Sequence, residues 1–163
     1  MIYSDDSDEY VDKEVKVCGW AKTMRSGGKG TFYFVELSDG SCMTSLQVVV
    51  TESISNYEAL TGQGVGTSFG FVGTLIKSPK PGQKYELQVS DNSKHSLTVF
   101  GNCTQGNYPL QKGKHSKEFL REIMHLRSRT NVISAVARLR NNLSIATHEF
   151  FQKRGFLYVH TPM

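Results

Sequence analysis

Apolar and polar residues alternate through roughly the first hundred positions, and beyond residue 116 they recur at spacings of three and four. Period two marks half-buried strands, and the longer spacing marks helices with one apolar face. Alternation predicts strands over residues 15–20, 31–37, 45–50, 67–77 and 84–90, with a further extended piece at 97–101. Asp39-Gly40 and the run KPGQ at 80–83 supply turns between them. Residues 25–30 (RSGGKG) read as a flexible basic loop, and residues 53–60 (SISNYEAL) as one or two helical turns. Tyr108-Pro109 and Gly113 then break the pattern, because proline cannot donate to a ladder and glycine frees the backbone.

Beyond the break, Ser116 stands where a helix N-cap belongs, with Glu118 near the positive end of the helix dipole. Phe119, Leu120, Ile123, Met124 and Leu126 give that short helix an apolar side. Val132, Val136, Leu139, Leu143, Ala146 and Phe150 then mark one long amphipathic helix, stopped by Gly155. Residues 156–160 alternate again up to Thr161-Pro162, which predicts a strand. Five short strands with a helical insert between the third and fourth suggest a mainly β, five-stranded OB-fold barrel. An SH3-like barrel or an open sandwich would give similar periodicity.

Alternation also assigns faces. Tyr33, Val35 and Leu37 share one side of the second strand, and Phe32, Phe34 and Glu36 the other. The side with Glu36 is the less buried, so Phe32 and Phe34 form a candidate aromatic platform. In the third strand Leu46, Val48 and Val50 face the core and turn Gln47 outward. An exposed ring, an amide and nearby Arg25 suit an unpaired base: the ring stacks, the amide bonds the base edge, and the guanidinium holds phosphate or a carbonyl. The competing reading packs both phenylalanines under a loop or a second domain.

Charge sharpens the picture. The first 14 residues carry a local net of −5 against a chain total of +4, leaving +9 for residues 15–163. A body this basic suits a polyanionic partner such as nucleic acid, and the acidic head is expected to be disordered. Apolar residues make up 38% of the chain, and no run of 18 is available for a membrane span. No basic-then-apolar leader opens the sequence. Cys18, Cys42 and Cys103 are odd in number and far apart, which points to free thiols in a reducing, cytoplasmic setting, and no zinc pattern is present. The five histidines have no carboxylate or thiol at catalytic or ligand spacing and read as solvent-facing. The run at 27–30 is not a P-loop, since GxxxxGK[ST] does not fit there.

The run HSKEFLREIMHLRSRTN at 115–131, followed by a helix and RGFLYVHTPM at 154–163, resembles the hinge and first signature motif of the asparaginyl-tRNA synthetases, class II aminoacyl-tRNA synthetases. The resemblance runs from about residue 15 to residue 163. After the acidic head at 1–13, which charge alone marks out, it implies an anticodon-binding OB domain over 14–104, a hinge over 105–130, and the first helix and strand of a class II catalytic domain over 131–163. It places anticodon contacts on Arg25, Phe34 and Gln47, with Phe32 beside them, while Met24 stands where another arginine is common. Lys112, Lys114 and Arg121 are expected on the tRNA backbone. Leu139, Leu143, Phe150, Gly155 and Pro162 are expected in motif 1, whose family role is homodimer formation.

The implied partner is tRNA(Asn). The full enzyme would activate asparagine with ATP and Mg²⁺ and transfer it to the tRNA. Motifs 2 and 3, which supply the adenylation residues, are absent from these 163 residues. This stretch is therefore expected to hold no catalytic residue, cofactor or metal and to be inactive alone. The rival expectations are a stand-alone single-stranded nucleic-acid-binding module and a synthetase-derived interaction protein.

Overall fold

The computed structural model describes residues 5–162 and divides into two compact units, one ending at Lys114 and the other beginning at His115. The first contains six strands: β1 (Glu14–Gly27), β2 (Phe32–Ser38), β3 (Leu46–Thr51), β4 (Ser68–Lys77), β5 (Tyr85–Val89) and β6 (Ser96–Gly101). β2 pairs antiparallel with β1 and β3, β3 runs parallel to β5, and β4 pairs antiparallel with both β5 and β1. The ladder 1-2-3-5-4-1 closes on itself, which is the connectivity of the expected OB barrel. β1 reaches both partners because it is long: Glu14–Trp20 pair with β4, and its second half pairs with β2 past an irregularity between Ala21 and Thr23.

The inward positions are those that alternation assigns. Val35 and Leu37 of β2, Leu46, Val48 and Val50 of β3, and Phe69, Phe71 and Leu75 of β4 are all buried, joined by Leu87 and Val89 of β5. Closing so small a barrel brings backbones close together. A Cβ at Gly73 would collide with the Gln88 carbonyl oxygen, so only glycine fits there. The 53–60 insert forms a single 3₁₀ turn, Tyr57–Leu60, that buries Leu60 completely and donates the Tyr57 hydroxyl to the Gly30 carbonyl at 2.6 Å.

Three parts of this unit take a more definite form than the sequence predicts. The extended piece at 97–101 is a full sixth strand, paired to β4 alongside Ser68–Val72, where β5 has left that edge free. The basic loop is shorter than expected, since β1 continues through Arg25 to Gly27 and only residues 28–30 turn. The acidic head is described from Asp5. It forms a 3₁₀ turn over Asp5–Tyr10, the Asp12 amide donates to the Leu75 carbonyl, and Val11 packs against the core. Asp8 accepts from the hydroxyl of fully buried Tyr85 at 2.6 Å. A buried phenol requires a partner, and the head provides it. Of the expected disordered stretch, residues 1–4 lie outside the described residues.

The second unit holds α1 (Lys117–Glu122) and α2 (Asn131–Gln152). Ser116 caps α1 as expected, its hydroxyl accepting from the Phe119 amide at 3.2 Å. Leu120 is buried, whereas Met124 lies beyond the helix and is exposed. α2 ends as the glycine predicts. Gly155 adopts φ +82°, and the amides of Gly155 and Phe156 return to the carbonyls of Gln152 and Phe151. This is the paired 5→2 and 6→1 closure of a Schellman stop, sealed by the Phe151–Phe156 ring contact at 5.4 Å. Residues 156–160 do not form the expected strand. A strand exists only with a hydrogen-bonded neighbour, and none of the described residues pairs with this segment.

Candidate nucleic-acid interface

Ladder register decides which outward side chains meet. Arg25 of β1 is directly opposite Phe34 of β2, and Phe34 is opposite Val49 of β3. The Arg25 guanidinium carbon sits 5.0 Å from the Phe34 ring centroid. Gly27 makes room for that ring, because a Cβ there would come within 2.8 Å of it. Phe34 is half-buried and the neighbouring Phe32 is exposed, so the platform lies on the surface and not beneath a loop. Phe32 pairs with Gly27 two positions further along the ladder, next to the turn that carries Lys29.

Gln47 is half-buried on the same outward face but not directly beside Phe34. It is opposite Glu36 on β2 and in parallel register with Glu86 on β5. That leaves it diagonal to Phe34, a separation that long side chains and a bound base can bridge. Its Nε2 donates to Glu86 Oε2 at 3.5 Å, and the same oxygen accepts from the Ser78 hydroxyl at 3.3 Å. The face therefore has two ends. Arg25 and Lys29 make one end positive, and Glu36 and Glu86 make the other acidic. A phosphate suits the first end, and the hydrogen-bonding edge of a base suits the second.

Sequence reasoning missed Glu86. Its burial, at 6% exposure, and its place beside Gln47 follow from a parallel pairing between distant segments, for which local alternation carries no signal. The reading of the histidines fails at His95, which is buried. Its Nδ1 accepts from the Ser90 amide and its Nε2 lies 3.1 Å from the Thr74 hydroxyl, joining the loop after β5 to β4. A second aromatic surface also went unnoticed. Trp20 and Phe100 are exposed on β1 and β6, and Phe100 lies over Gly70 beside Cys18.

The remaining candidates fall in separate places. Lys112 and Lys114 end the first unit, exposed; Arg121 is exposed on α1 and pairs with Glu118 at 3.9 Å. Leu139, Leu143 and Phe150 expose one side of α2, with Leu139 68% open. Pro162 is exposed at the end of the described chain. Among the described residues no group of three or more His, Cys, Asp or Glu side chains is placed to hold a metal ion. No helix there is long and apolar enough to cross a membrane. The glycine run at 27–30 ends β1 and turns directly into β2, so no α-helix follows it in the chain.

Comparison with known proteins agrees with this geometry. Residues 15–93 match a family model described as an OB-fold nucleic acid binding domain. The chain is 44% identical over 154 residues to the asparagine–tRNA ligase of Protochlamydia amoebophila, covering 94% of this chain and 32% of that protein. It is 44% identical over 151 residues to an Arabidopsis thaliana cytoplasmic asparagine–tRNA ligase, covering 93% and 26%. The chain thus spans about a third or less of the relatives it matches. Its fold superposes on the crystal structure of asparaginyl-tRNA synthetase from Pyrococcus horikoshii with a TM-score of 0.80 at 23% identity, covering 94% of this chain and 35% of that one.

Proposed function

Because this chain is homologous to the N-terminal portion of asparagine–tRNA ligases, we propose that it is the anticodon-binding part of such an enzyme, with tRNA(Asn) as its partner. The observation that carries this reading is the Arg25–Phe34 stack, with Gln47 further along the same outward face. Asparagine codons call for a GUU anticodon, whose central uracil offers one ring face and a carbonyl–imide edge. Phe34 takes the ring, Gln47 the edge, and Phe32 a neighbouring base. The guanidinium now resting on Phe34 must move aside. An exposed cation–π contact is worth about 0.5–1 kcal/mol, and a base stacked on an aromatic ring about 1–3 kcal/mol. The exchange therefore favours the base, and Arg25 regains a phosphate or carbonyl partner.

The rest of the parent enzyme's work belongs elsewhere. It activates asparagine with ATP and Mg²⁺ in the cytoplasm and acylates the tRNA. Motifs 2 and 3, which would hold ATP and Mg²⁺ in that enzyme, are absent from these 163 residues. The exposed side of α2, with Leu139, Leu143 and Phe150, is the parent's homodimer surface. Lys112, Lys114 and Arg121 hold tRNA phosphates. Fluorescence titration of the chain with a GUU anticodon stem-loop, against the same stem carrying three other anticodon bases, tests the central reading. The GUU loop should bind at least about tenfold more tightly. Equal affinity would replace this reading with a single-stranded nucleic-acid module that does not discriminate.

A further inference from the structure

We propose that Glu86 sets the base specificity of Gln47 by fixing which way its amide points. The inference rests on the reading above, in which Gln47 bonds the edge of the central base. A side-chain amide is ambiguous by itself: its oxygen accepts, its nitrogen donates, and a half-turn about the last torsion exchanges them. Uracil presents an N3–H donor beside a carbonyl acceptor. Cytosine presents an N3 acceptor beside an N4 amino donor. A freely turning glutamine would satisfy either base, so discrimination requires a lock.

Glu86 has the properties of one. A carboxylate offers acceptors, so the Gln47 NH₂ is the group that it holds, with Nε2 placed 3.5 Å from Oε2. Glu86 is 6% exposed, so it acts as a fixed wall and is held by a second donor, the Ser78 hydroxyl at 3.3 Å. With Nε2 turned to the sheet, Oε1 is left to meet the base. An outward oxygen accepts from uracil N3–H but opposes the lone pair on cytosine N3. The remaining Nε2 hydrogen is available to a uracil carbonyl.

Wild type, Glu86→Gln, Gln47→Ala and the double variant, each checked by thermal melting, are titrated with stem-loops that differ only in a central U or C. Wild type should prefer U by ten- to a hundredfold. Glu86→Gln replaces an acceptor-only group with one that turns, so the U-to-C ratio should fall at least fivefold, mainly through tighter binding of the C loop. A purely structural role would weaken both loops alike. In the Gln47→Ala background the Glu86 change should have no further effect on the ratio; an undiminished effect there would mean that Glu86 touches the base itself and would overturn positioning. An unchanged ratio in Glu86→Gln, with Gln47→Ala abolishing the preference, overturns the lock while leaving Gln47 as reader. An unchanged ratio in Gln47→Ala overturns both. Should Glu86→Gln not fold, Glu86→Met, of similar length and without the acceptor, takes its place with the same expected outcome.

Discussion

A single side chain at the foot of the barrel links an acidic head to a buried ring. The Tyr85 hydroxyl, together with Lys77 and Lys84 nearby, holds the Asp8 carboxyl below its ordinary value of 3.8. A carboxyl lowered in the folded state stabilises that state above its unfolded value and loses the contribution as pH falls through the folded value. Asp8→Ala should therefore melt earlier than wild type near neutral pH, because it removes the 2.6 Å hydrogen bond from the Tyr85 hydroxyl to the carboxylate. As pH falls through the lowered folded value the gap should shrink, since the wild-type carboxyl then becomes protonated. Melting temperature against pH for both proteins measures this; a gap that stays constant into acid would remove Asp8 ionisation from the account. The residue scale is also where sequence reading reached its limit. Phe32, Phe34 and Gln47 were placed outward by alternation alone, whereas Asp8 meets Tyr85 across 77 positions and Glu86 meets Gln47 across 39. Such contacts follow from closure of the barrel and leave no local pattern.

Elements were legible where their stability is local. Ser116 and Gly155 begin and end helices through bonds to residues within one turn, and both were readable. β2 and β3 were readable because each is buried on one face. Residues 156–160 alternate just as well yet make no ladder, because alternation states which face would be buried and not whether a neighbour exists. β1 runs past its expected end at residue 20, because pairing with Phe32 to Leu37 keeps Ala21 to Gly27 in the sheet, including the arginine, serine and glycine that read as a loop. α2 is the element most plainly lacking a cover. Leu139 and Leu143 are each more than 60% exposed on a helix with apolar periodicity, and an apolar stripe left open drives association. The chain should self-associate in light scattering, and Leu139→Asp with Leu143→Asp should return it to monomer with the barrel's melt unchanged. A wild-type chain that stays monomeric at high concentration would contradict the proposed dimer surface.

At the scale of the whole molecule, charge and shape separate two kinds of recognition. The excess of positive charge beyond residue 14 acts on any polyanion, while the Phe34 face acts on bases. Glutamate substitution at Lys112, Lys114 and Arg121 should weaken binding to all tRNAs by similar factors. It should also flatten the dependence on salt, because fewer counterions are released. Unchanged affinity and salt slope would leave these residues as solvated surface. The central claim, that the barrel reads an anticodon on the Phe34 platform, is tested most directly by Phe34→Ala. Its affinity for the GUU stem-loop and its melting temperature should be measured together. Loss of stacking should cost about 1–3 kcal/mol, or roughly ten- to a hundredfold in affinity. The melt should move little, because the ring is half-exposed and outside the core. A variant that melts early yet binds the GUU loop as tightly as wild type would contradict the claim.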